Sequence, residues 1–391
     1  MMRFERPAFM DDPELRAFED SVGRFFERHA PREVTERWRD QGFVDRAFWT
    51  KAGEAGLLGA TVPVDYGGAG ADFRYDVVLL EQIKRHEVSG FAAGLHNVIV
   101  VPYVVAHGTE EQKRRWLPRL VSGELVAAIA MTEPDAGSDL QSITTTAVRD
   151  GDHYRLSGAK TFISNGAIAD FVVVVAKTDP GARGSGISLL VVETHDTAGF
   201  RRGRRLDKIG MDAQDTSELF FDDVLVPVDN LLGGVEGRGF IQLMQELPRE
   251  RLAIAIGAAE TAEIAVQDTL RYVGERKAFG KPIAAFQNTQ FKLAEAAANA
   301  MMAKVFTYHC IERLLAGTLD NALSAMAKLR TSEIQSSVVD ECLQLHGGFG
   351  YVNEYRIARM YRDARVDRIY GGSNEIMKLI IARAIADPRA G

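Results

Sequence analysis

Two absences narrow the class of protein: cysteine is scarce, and no apolar segment is long. The two cysteines, Cys310 and Cys342, have no CxxC spacing and no histidine partner, which favours small buried hydrophobic residues in a reducing compartment over a disulfide framework or a metal site. The longest apolar runs, such as residues 171–176, are far shorter than a membrane span. Residues 1–10 lack the apolar core of a secretory signal. We therefore expect a cytoplasmic, bacterial-like protein, or a mitochondrial matrix protein whose leader has been removed.

Basic residues are also fewer than acidic ones, 47 against 54. The formal net charge is -7, which argues against nucleic acid as the main partner. No GxGxxG motif follows a predicted strand, so we expect no Rossmann-type nucleotide site. The remaining composition, 46% hydrophobic and 26% charged, is that of an ordinary globular protein. A chain of 391 residues is too long for one hydrophobic core, and we expect two or three domains.

The hydrophobic periodicity changes twice and divides the chain into three zones. Residues 1–125 have helical spacing, residues 126–239 have the short alternating runs of strands, and residues 240–391 return to long helical periods. The predicted fold class is therefore α+β. It has an N-terminal α-helical domain, a middle β-barrel or β-sandwich domain and a C-terminal four-helix bundle.

Local signals support each zone. Asp12-Pro13 is typical of a helix start, and residues 109–112 form a capping box. In the middle zone, β-branched and aromatic runs alternate with turn signals. They cover residues 171–176, 187–192 and 219–226. The long predicted helices cover residues 250–276, 286–316, 322–346 and 374–386.

Four motifs, spread over most of the chain, identify a family. They are residues 130–139 (AMTEPDAGSD), 160–166 (KTFISNG), 276–287 (RKAFGKPI with FQ) and 344–351 (QLHGGFGY), the last continuing to YRDAR at 361–365 and Tyr370. Each motif alone is weak, but the four in this order make chance agreement remote. The chain resembles the acyl-CoA dehydrogenase family, which implies FAD as cofactor and the α-β-α domain order.

The first two motifs suit a flavin. A flavin ring requires apolar support on its faces, which Met131 and Phe162 can supply. It also requires hydrogen-bond donors at its polar edge, which Thr132 and Ser164 can supply; relatives often have Trp and Thr at positions 162 and 164. Gly137-Ser138 can bring backbone amides to the pyrophosphate. In isolation these small polar residues also suit a simple β-turn.

The last two motifs, by resemblance, reach FAD that is bound mainly by a neighbouring subunit. Arg276 would pair with the pyrophosphate, although it also suits a helix C-terminus. The resemblance therefore implies a homo-oligomer, commonly a tetramer built from two dimers. The full set of predicted cofactor-binding residues is Ile129, Met131, Thr132, Gly137, Ser138, Phe162, Ile163, Ser164, Arg276, Phe279, Gln287, Gln344, Gly347, Gly348, Ser373 and Glu375.

The position of the catalytic base departs from the common family pattern. Many relatives have a glutamate directly after the tyrosine, where this chain has Gly371. Removal of a proton α to a thioester requires a base, and the developing enolate oxygen must be stabilised. Glu250 lies where a minority of the family has its base, so we predict Glu250 as base and the Gly371 N–H as donor to the thioester oxygen. Desolvation by the acyl chain would raise the pKa of Glu250.

Other interpretations of these residues stay open. Pro248 predicts that a helix begins here, and a carboxylate in a first turn is favourable without any catalytic role. Glu375 competes weakly as base, and Glu246 and Glu133 more weakly still. The predicted substrate-binding residues are Ser138, Arg251, Gly371 and Gly372, with Arg251 near the CoA moiety.

Two further stretches have both a functional and an ordinary interpretation. The arginines of residues 201–205 could meet a CoA phosphate or form a solvated loop. The small residues of 89–94 could leave space for an acyl tail or allow close helix packing.

The resemblance implies α,β-dehydrogenation of an acyl-CoA to a trans-2-enoyl-CoA, with electrons passed to an electron-transfer flavoprotein. Glu250 together with residues 371–377 is most similar to the long-chain type, and the isovaleryl type is a close competitor. An acyl-CoA oxidase on the same scaffold would share every binding motif. A flavin-carrying protein that protects nucleic acid would require a basic C-terminal face, and here acidic and basic residues nearly balance.

Overall fold

The computed structural model describes residues 6–386, and its N-terminal part is helical. The helices are α1 (Pro13–His29), α2 (Arg32–Gln41), α3 (Arg46–Glu54), α4 (Phe73–Arg85), α5 (Val101–His107) and α6 (Glu110–Val121), with a π-helical segment (Gly94–Val100) directly before α5. Both predicted starts are confirmed. The Asp12 carboxylate accepts a hydrogen bond from the Glu14 N–H ahead of α1, and Thr109 and Gln112 form the capping box of α6.

The middle part is one curled sheet of seven strands. The strands are β1 (Ala127–Ala130), β2 (Thr146–Asp150), β3 (His153–Ser164), β4 (Phe171–Lys177), β5 (Ile187–Glu193), β6 (Phe200–Arg205) and β7 (Thr216–Pro227). Their order is β1-β4-β2-β3-β7-β6, and β5 pairs with β4. The run of valines in β4 fits its position, because both of its faces are buried. The predicted all-β middle domain is confirmed.

The arginine-rich stretch of residues 201–205 lies in β6, at one edge of this sheet. Charged side chains on an edge strand discourage pairing with other chains. The Arg201 guanidinium lies 4.2 Å from the centre of the Phe220 ring, and Arg202 donates to the Ala169 carbonyl oxygen at 2.8 Å. The stretch is an edge strand and not the predicted solvated loop, and these contacts give Arg201 and Arg202 a structural explanation that requires no phosphate.

The C-terminal part is again helical. It contains α7 (Gly239–Glu275), a short hairpin of β8 (Lys277–Ala278) and β9 (Lys281–Pro282), α8 (Gln287–Leu315), α9 (Asn321–Leu345), α10 (Arg356–Ala364) and α11 (Asn374–Ala386). Helices α7, α8, α9 and α11 form the predicted bundle, with α9 in contact with the other three. No helix among residues 6–386 is long and apolar enough to cross a membrane.

One predicted boundary is wrong, and the error bears on the site. Helix α7 begins at Gly239 rather than near Glu250, and Pro248 lies inside it. A proline inside a helix removes one backbone hydrogen bond, yet α7 continues through Pro248 and contacts α4, α8 and α9 along its length. Glu250 is therefore an interior residue of a buried helix, so the first-turn interpretation of its carboxylate does not apply.

The hydrophobic cores cross the boundaries between the three parts. One core combines side chains of α5 and α6 with those of β1, β4 and β5, and another combines α1 and α4 with α7 and α8. A buried ion pair reinforces the second contact, since the Lys304 ammonium of α8 donates to Glu81 of α4 at 2.9 Å. Cys310 and Cys342 are buried and free, as expected for small hydrophobic residues. These shared cores and the ion pair hold the three parts of the chain together.

Candidate active site

A cavity of about 770 Å³ lies where the three parts meet. We call its β-sheet side, residues 129–132 and 162–164, the strand wall, and its opposite side, residues 247–257 and 370–372, the helix wall. Many of the predicted site residues line this cavity: Ile129, Met131, Thr132, Gly137, Ser138, Phe162, Ile163, Ser164, Glu250, Arg251, Gly371 and Gly372.

The helix wall contains Glu250, whose residue is only 4% exposed. Its Oε1 accepts a hydrogen bond from the Tyr103 hydroxyl at 2.9 Å. Removal from water raises the pKa of Glu250 to about 7; the neighbouring Glu246 adds to the rise, while the Tyr103 bond and the charge of Arg251 oppose it. A carboxyl with such a pKa can accept and release a proton near neutral pH.

The turn at Gly371 and Gly372 lines the same cavity as Glu250. Both residues have left-handed backbone conformations, with φ of 65° and 90°, which glycine adopts without strain. A Cβ at Gly371 would lie only 2.5 Å from Cδ1 of Ile254. Lys328 donates to the Gly372 carbonyl oxygen at 2.8 Å and thereby holds the turn in place. A glutamate at this position would strain the backbone and displace the end of the Ile254 side chain, and the glycine present has no carboxylate that could act as a base.

Arg251 holds the same turn. Its Nε donates to the Gly371 carbonyl oxygen at 3.3 Å, and its Nη1 donates to the Asn321 side chain. The residue is 4% exposed, although it lines the cavity. Its contacts within the chain thus position the Gly371 turn.

The strand wall displays an aromatic ring on a strained backbone. Phe162 has a φ of 59°, which is costly for a bulky residue, and it is nevertheless 67% exposed. The register between β3 and β7 shifts between Lys160 and Ile163, so a bulge turns this residue out of the sheet. Thr132 is held beside it, because its carbonyl oxygen accepts from the Thr161 N–H at 2.9 Å.

A buried ion pair supports the strand wall from behind. The Lys160 ammonium donates to Glu133 at 2.8 Å and to the Met131 carbonyl oxygen at 3.0 Å. Glu133 also accepts from the backbone N–H groups of Thr144 and Thr145 at 2.6 and 3.0 Å. Burial opposes ionisation of this carboxyl, but Lys160 and these donors outweigh it and lower its pKa to about 2. Glu133 is thus a fixed anion.

The remaining predicted residues do not line this cavity. Six of them are exposed where the C-terminal end of α7, the β8–β9 hairpin, the start of α8 and the end of α9 come together. We call this surface the distal patch: Arg276, Phe279, Gln287, Gln344, Gly347 and Gly348. The Arg276 guanidinium lies 5.5 Å from the centre of the Phe349 ring, which ties the end of α7 to residues 347–351.

Ser373 and Glu375 lie at the start of α11, just beyond the glycine turn. Glu375 is exposed, and hydrogen bonds from its own backbone N–H and from Ser373 lower its pKa. A carboxylate with a lowered pKa outside the cavity is a poor base.

Sequence reasoning missed the residues that hold the site in place. Tyr103 lies in the apolar run VVPYVV, where nothing distinguishes it from a core aromatic residue. Lys328 and Ile254 lie in long helical periods without any motif. For Tyr103 and Lys328 the available signal was weak: a polar atom on a helix, which must find a partner when buried. Ile254 has no polar atom and gave no such signal.

The strand wall fits FAD. It offers an exposed aromatic ring at Phe162 and an apolar thioether at Met131, with the polar side chains of Thr132 and Ser164 on the same surface. The exposed residues Gly137 and Ser138 continue this surface at the cavity edge. No cluster of His, Cys, Asp and Glu among residues 6–386 has the arrangement of a metal site.

Comparison with known proteins defines the class. Family models of the acyl-CoA dehydrogenase N-terminal, middle and C-terminal domains match residues 12–124, 128–224 and 237–386. The chain belongs to the acyl-CoA dehydrogenase family, and it is an oxidoreductase that uses FAD. The expectations of family, fold and cofactor are confirmed.

Individual relatives narrow the resemblance. The chain is 47% identical over 370 residues to the mitochondrial long-chain specific acyl-CoA dehydrogenase of Mus musculus, covering 94% of this chain and 85% of that protein. It is 37% identical over 384 residues to the mitochondrial isovaleryl-CoA dehydrogenase of Solanum tuberosum, covering 98% and 92%.

Solved structures agree in fold. An acyl-CoA dehydrogenase from Geobacillus kaustophilus superimposes with a TM-score of 0.93 at 49% identity, covering 98% of this chain and all of that one. An acyl-CoA dehydrogenase complexed with FAD from Bacillus anthracis gives 0.91 at 33% identity, covering 98% of this chain and 69% of that one.

Proposed function

We propose that this protein dehydrogenates a long-chain acyl-CoA to the trans-2-enoyl-CoA, with Glu250 as general base. The observation that carries the proposal is the burial of Glu250 in the cavity wall with a pKa raised to about 7. Of the other acidic residues of the cavity, Asp139 is exposed, whereas Asp367 shares with Glu250 its burial, a pKa raised by burial and a hydrogen bond from a tyrosine. The choice of Glu250 over Asp367 therefore rests on its match to the position of the base in the minority family pattern. A base works best when its pKa is near the working pH.

In the proposed reaction, Glu250 takes the proton from the α-carbon of the thioester. FAD, when bound, supplies the acceptor for the β-hydride. The Gly371 N–H would donate to the thioester oxygen as negative charge develops there. Its availability supports this role, because the Gly371 N–H donates no hydrogen bond within the described part of the chain. Arg251 and Lys328 would keep that donor in place through the Gly371 and Gly372 carbonyls.

Residues on the N-terminal side of the cavity support a long acyl chain. Ser89, Ala92 and Gly94 line it, and none of them has a large side chain that would occupy the cavity. Leu95 and Ile99 make the same side apolar. The higher identity to the long-chain relative than to the isovaleryl relative points in the same direction.

The isovaleryl type remains the second candidate, because relatives of that name match nearly the whole chain. We expect kcat/KM to rise from butyryl-CoA to palmitoyl-CoA and to be lowest for isovaleryl-CoA. Gly94→Leu should reverse that order, since even a Cβ at Gly94 would lie 2.9 Å from Cδ2 of Leu80. A wild-type preference for isovaleryl-CoA would overturn the long-chain assignment but leave the chemistry standing.

We further propose a homo-oligomer, a tetramer of two dimers, with the distal patch reaching FAD held by a neighbouring chain. The exposure of all six patch residues, away from the cavity of their own chain, supports this arrangement.

We propose electron-transfer flavoprotein as the electron acceptor. We also propose domain boundaries at residues 1–125, 126–239 and 240–391. The site roles of Ser373 and Glu375 at the cofactor, and of Ser138 at the substrate, are proposals on the same basis.

The decisive experiment replaces Glu250 by Gln, which has the same shape and cannot take a proton. We expect FAD binding to persist and the rate of flavin bleaching by a long-chain acyl-CoA under anaerobic conditions to fall by about 10²–10⁴, roughly 3–5 kcal/mol. Glu312→Gln, an exposed change on α8, is the matched control. Full activity of the Glu250→Gln variant would remove Glu250 as base.

A further inference from the structure

Tyr103 is a buried phenol whose hydrogen bond ends on the proposed base. Its residue is 0% exposed, and its hydroxyl donates to Oε1 of Glu250 at 2.9 Å across 147 positions of sequence. A buried hydroxyl must find an acceptor, and the run of valines and Pro102 around Tyr103 offers no side-chain acceptor. The contact therefore joins α5 to α7 at the active site.

A second close approach between α5 and α7 lies one helical turn away. His107 follows Tyr103 by one turn of α5, and Glu246 precedes Glu250 by one turn of α7. Nε2 of His107 lies 3.2 Å from Oε1 of Glu246. This approach lacks hydrogen-bond geometry, since Nε2 of His107 is buried without a hydrogen-bond partner among the described residues. It shows that α5 and α7 are also close together one turn from the Tyr103–Glu250 hydrogen bond.

Cations do not provide this support. Arg251, next to Glu250 in the chain, directs Nε and Nη1 to Gly371 and Asn321. No lysine or arginine among residues 6–386 hydrogen-bonds to the Glu250 carboxylate. A neutral donor stabilises the ionised carboxylate less than a cation would, so the group can be held in one orientation and still accept a proton.

We propose that Tyr103 is a positioning residue for the base: its phenol fixes Oε1 of Glu250 and leaves Oε2 to accept the α-proton. The phenol keeps its own proton throughout. This inference rests on the proposed function of Glu250. Because the O–H group donates, it favours the ionised form of the carboxyl, and loss of the hydroxyl raises the pKa of Glu250 further.

Other charged groups near the base must be counted in any pH experiment. Those beside it are His107 on α5 and Glu246, Arg249 and Arg251 on α7. Titratable groups elsewhere on the cavity wall are Lys84, Asp139, Asp367, Tyr370 and Arg383. Among these, the negative charge of Glu246 raises the pKa of Glu250, and the positive charge of Arg251 lowers it.

The experiment compares Tyr103→Phe with Glu246→Gln in the FAD-loaded enzyme. The rate of anaerobic flavin reduction by palmitoyl-CoA is measured in single turnovers from pH 5.5 to 9. The acid limb is the part of the pH–rate profile in which the rate falls as Glu250 becomes protonated. For Tyr103→Phe we expect the acid limb to move to higher pH by about one to two units, the size expected for loss of a hydrogen bond to a charged group. For Glu246→Gln we expect a smaller movement to lower pH. Tyr66→Phe is the matched control, because Tyr66 donates to Glu110 at 2.8 Å on the exposed surface.

The outcomes separate this inference from the proposed function. An unchanged acid limb in Tyr103→Phe, with normal FAD content and with Glu250→Gln inactive, would overturn the role of Tyr103 and leave Glu250 as base. Full activity of Glu250→Gln would overturn both. Movement of the limb in the same direction for Tyr103→Phe and Glu246→Gln would indicate general disruption of the α5–α7 contact and would also overturn the specific role.

Discussion

The two walls of the cavity each bury a glutamate, and they treat it in opposite ways. Behind the strand wall, Glu133 is paired with Lys160 and with backbone N–H groups, and its pKa falls to about 2. On the helix wall, Glu250 meets a neutral phenol, and its pKa rises to about 7. Burial is thus accompanied by a permanent anion at Glu133, beside Lys160, and by a group that titrates near neutral pH at Glu250, where the proposed reaction takes up a proton.

The largest effect should come from breaking the strand-wall pair. Lys160→Met leaves Glu133 buried without its cation, and we expect it to destabilise the fold by about 3–5 kcal/mol. The thermal unfolding midpoint of the purified protein measures this. Adding Glu133→Gln to the same chain should recover part of the loss, and Lys51→Met, an exposed change, should have little effect. Equal stability of Lys160→Met and wild type would show that the Lys160–Glu133 ion pair does not stabilise the fold.

The helix wall should respond in the opposite sense. The pKa of Glu250 rises from an ordinary value of 4.5 to about 7, so the carboxyl disfavours the folded state progressively as the pH rises through that window. Glu250→Gln should therefore be more stable than wild type by about 1–3 kcal/mol at pH 8, with the difference shrinking towards pH 4.5. Unfolding midpoints at pH 5 and pH 8 test the sign. A difference that is constant with pH would contradict the raised pKa.

The smallest effect concerns the glycine turn that lines the same cavity as Glu250. Gly371→Ala forces a Cβ into a left-handed conformation and against Ile254, which should destabilise the fold by about 1–2 kcal/mol. Ile254→Val removes the contacting Cδ1, so the double variant should recover the steric part but not the conformational part. Unfolding midpoints of the two single variants and the double variant measure both. Additive losses would mean that the two positions do not touch.

The sequence predicted the parts of the site that are carried by motifs. Met131, Thr132, Phe162 and Ser164 were predicted together, and all of them line one cavity. Such motifs are readable because each residue type answers a local requirement, such as a bulge, a turn or a polar edge. The start of α7 was predicted wrongly, because Pro248 suggested a boundary that tertiary packing overrides.

By itself, the sequence determined the α-β-α order, the family and the choice of position 250, rather than position 371, for the candidate base. Only the tertiary structure decided the electrostatics of that choice. Tyr103 and Glu250 are far apart in the chain, and neither the burial of the carboxyl nor its single phenolic donor can be derived from either segment alone. A motif reflects local chemistry, whereas a pKa depends on everything that surrounds the group, and that environment exists only once the helices have packed.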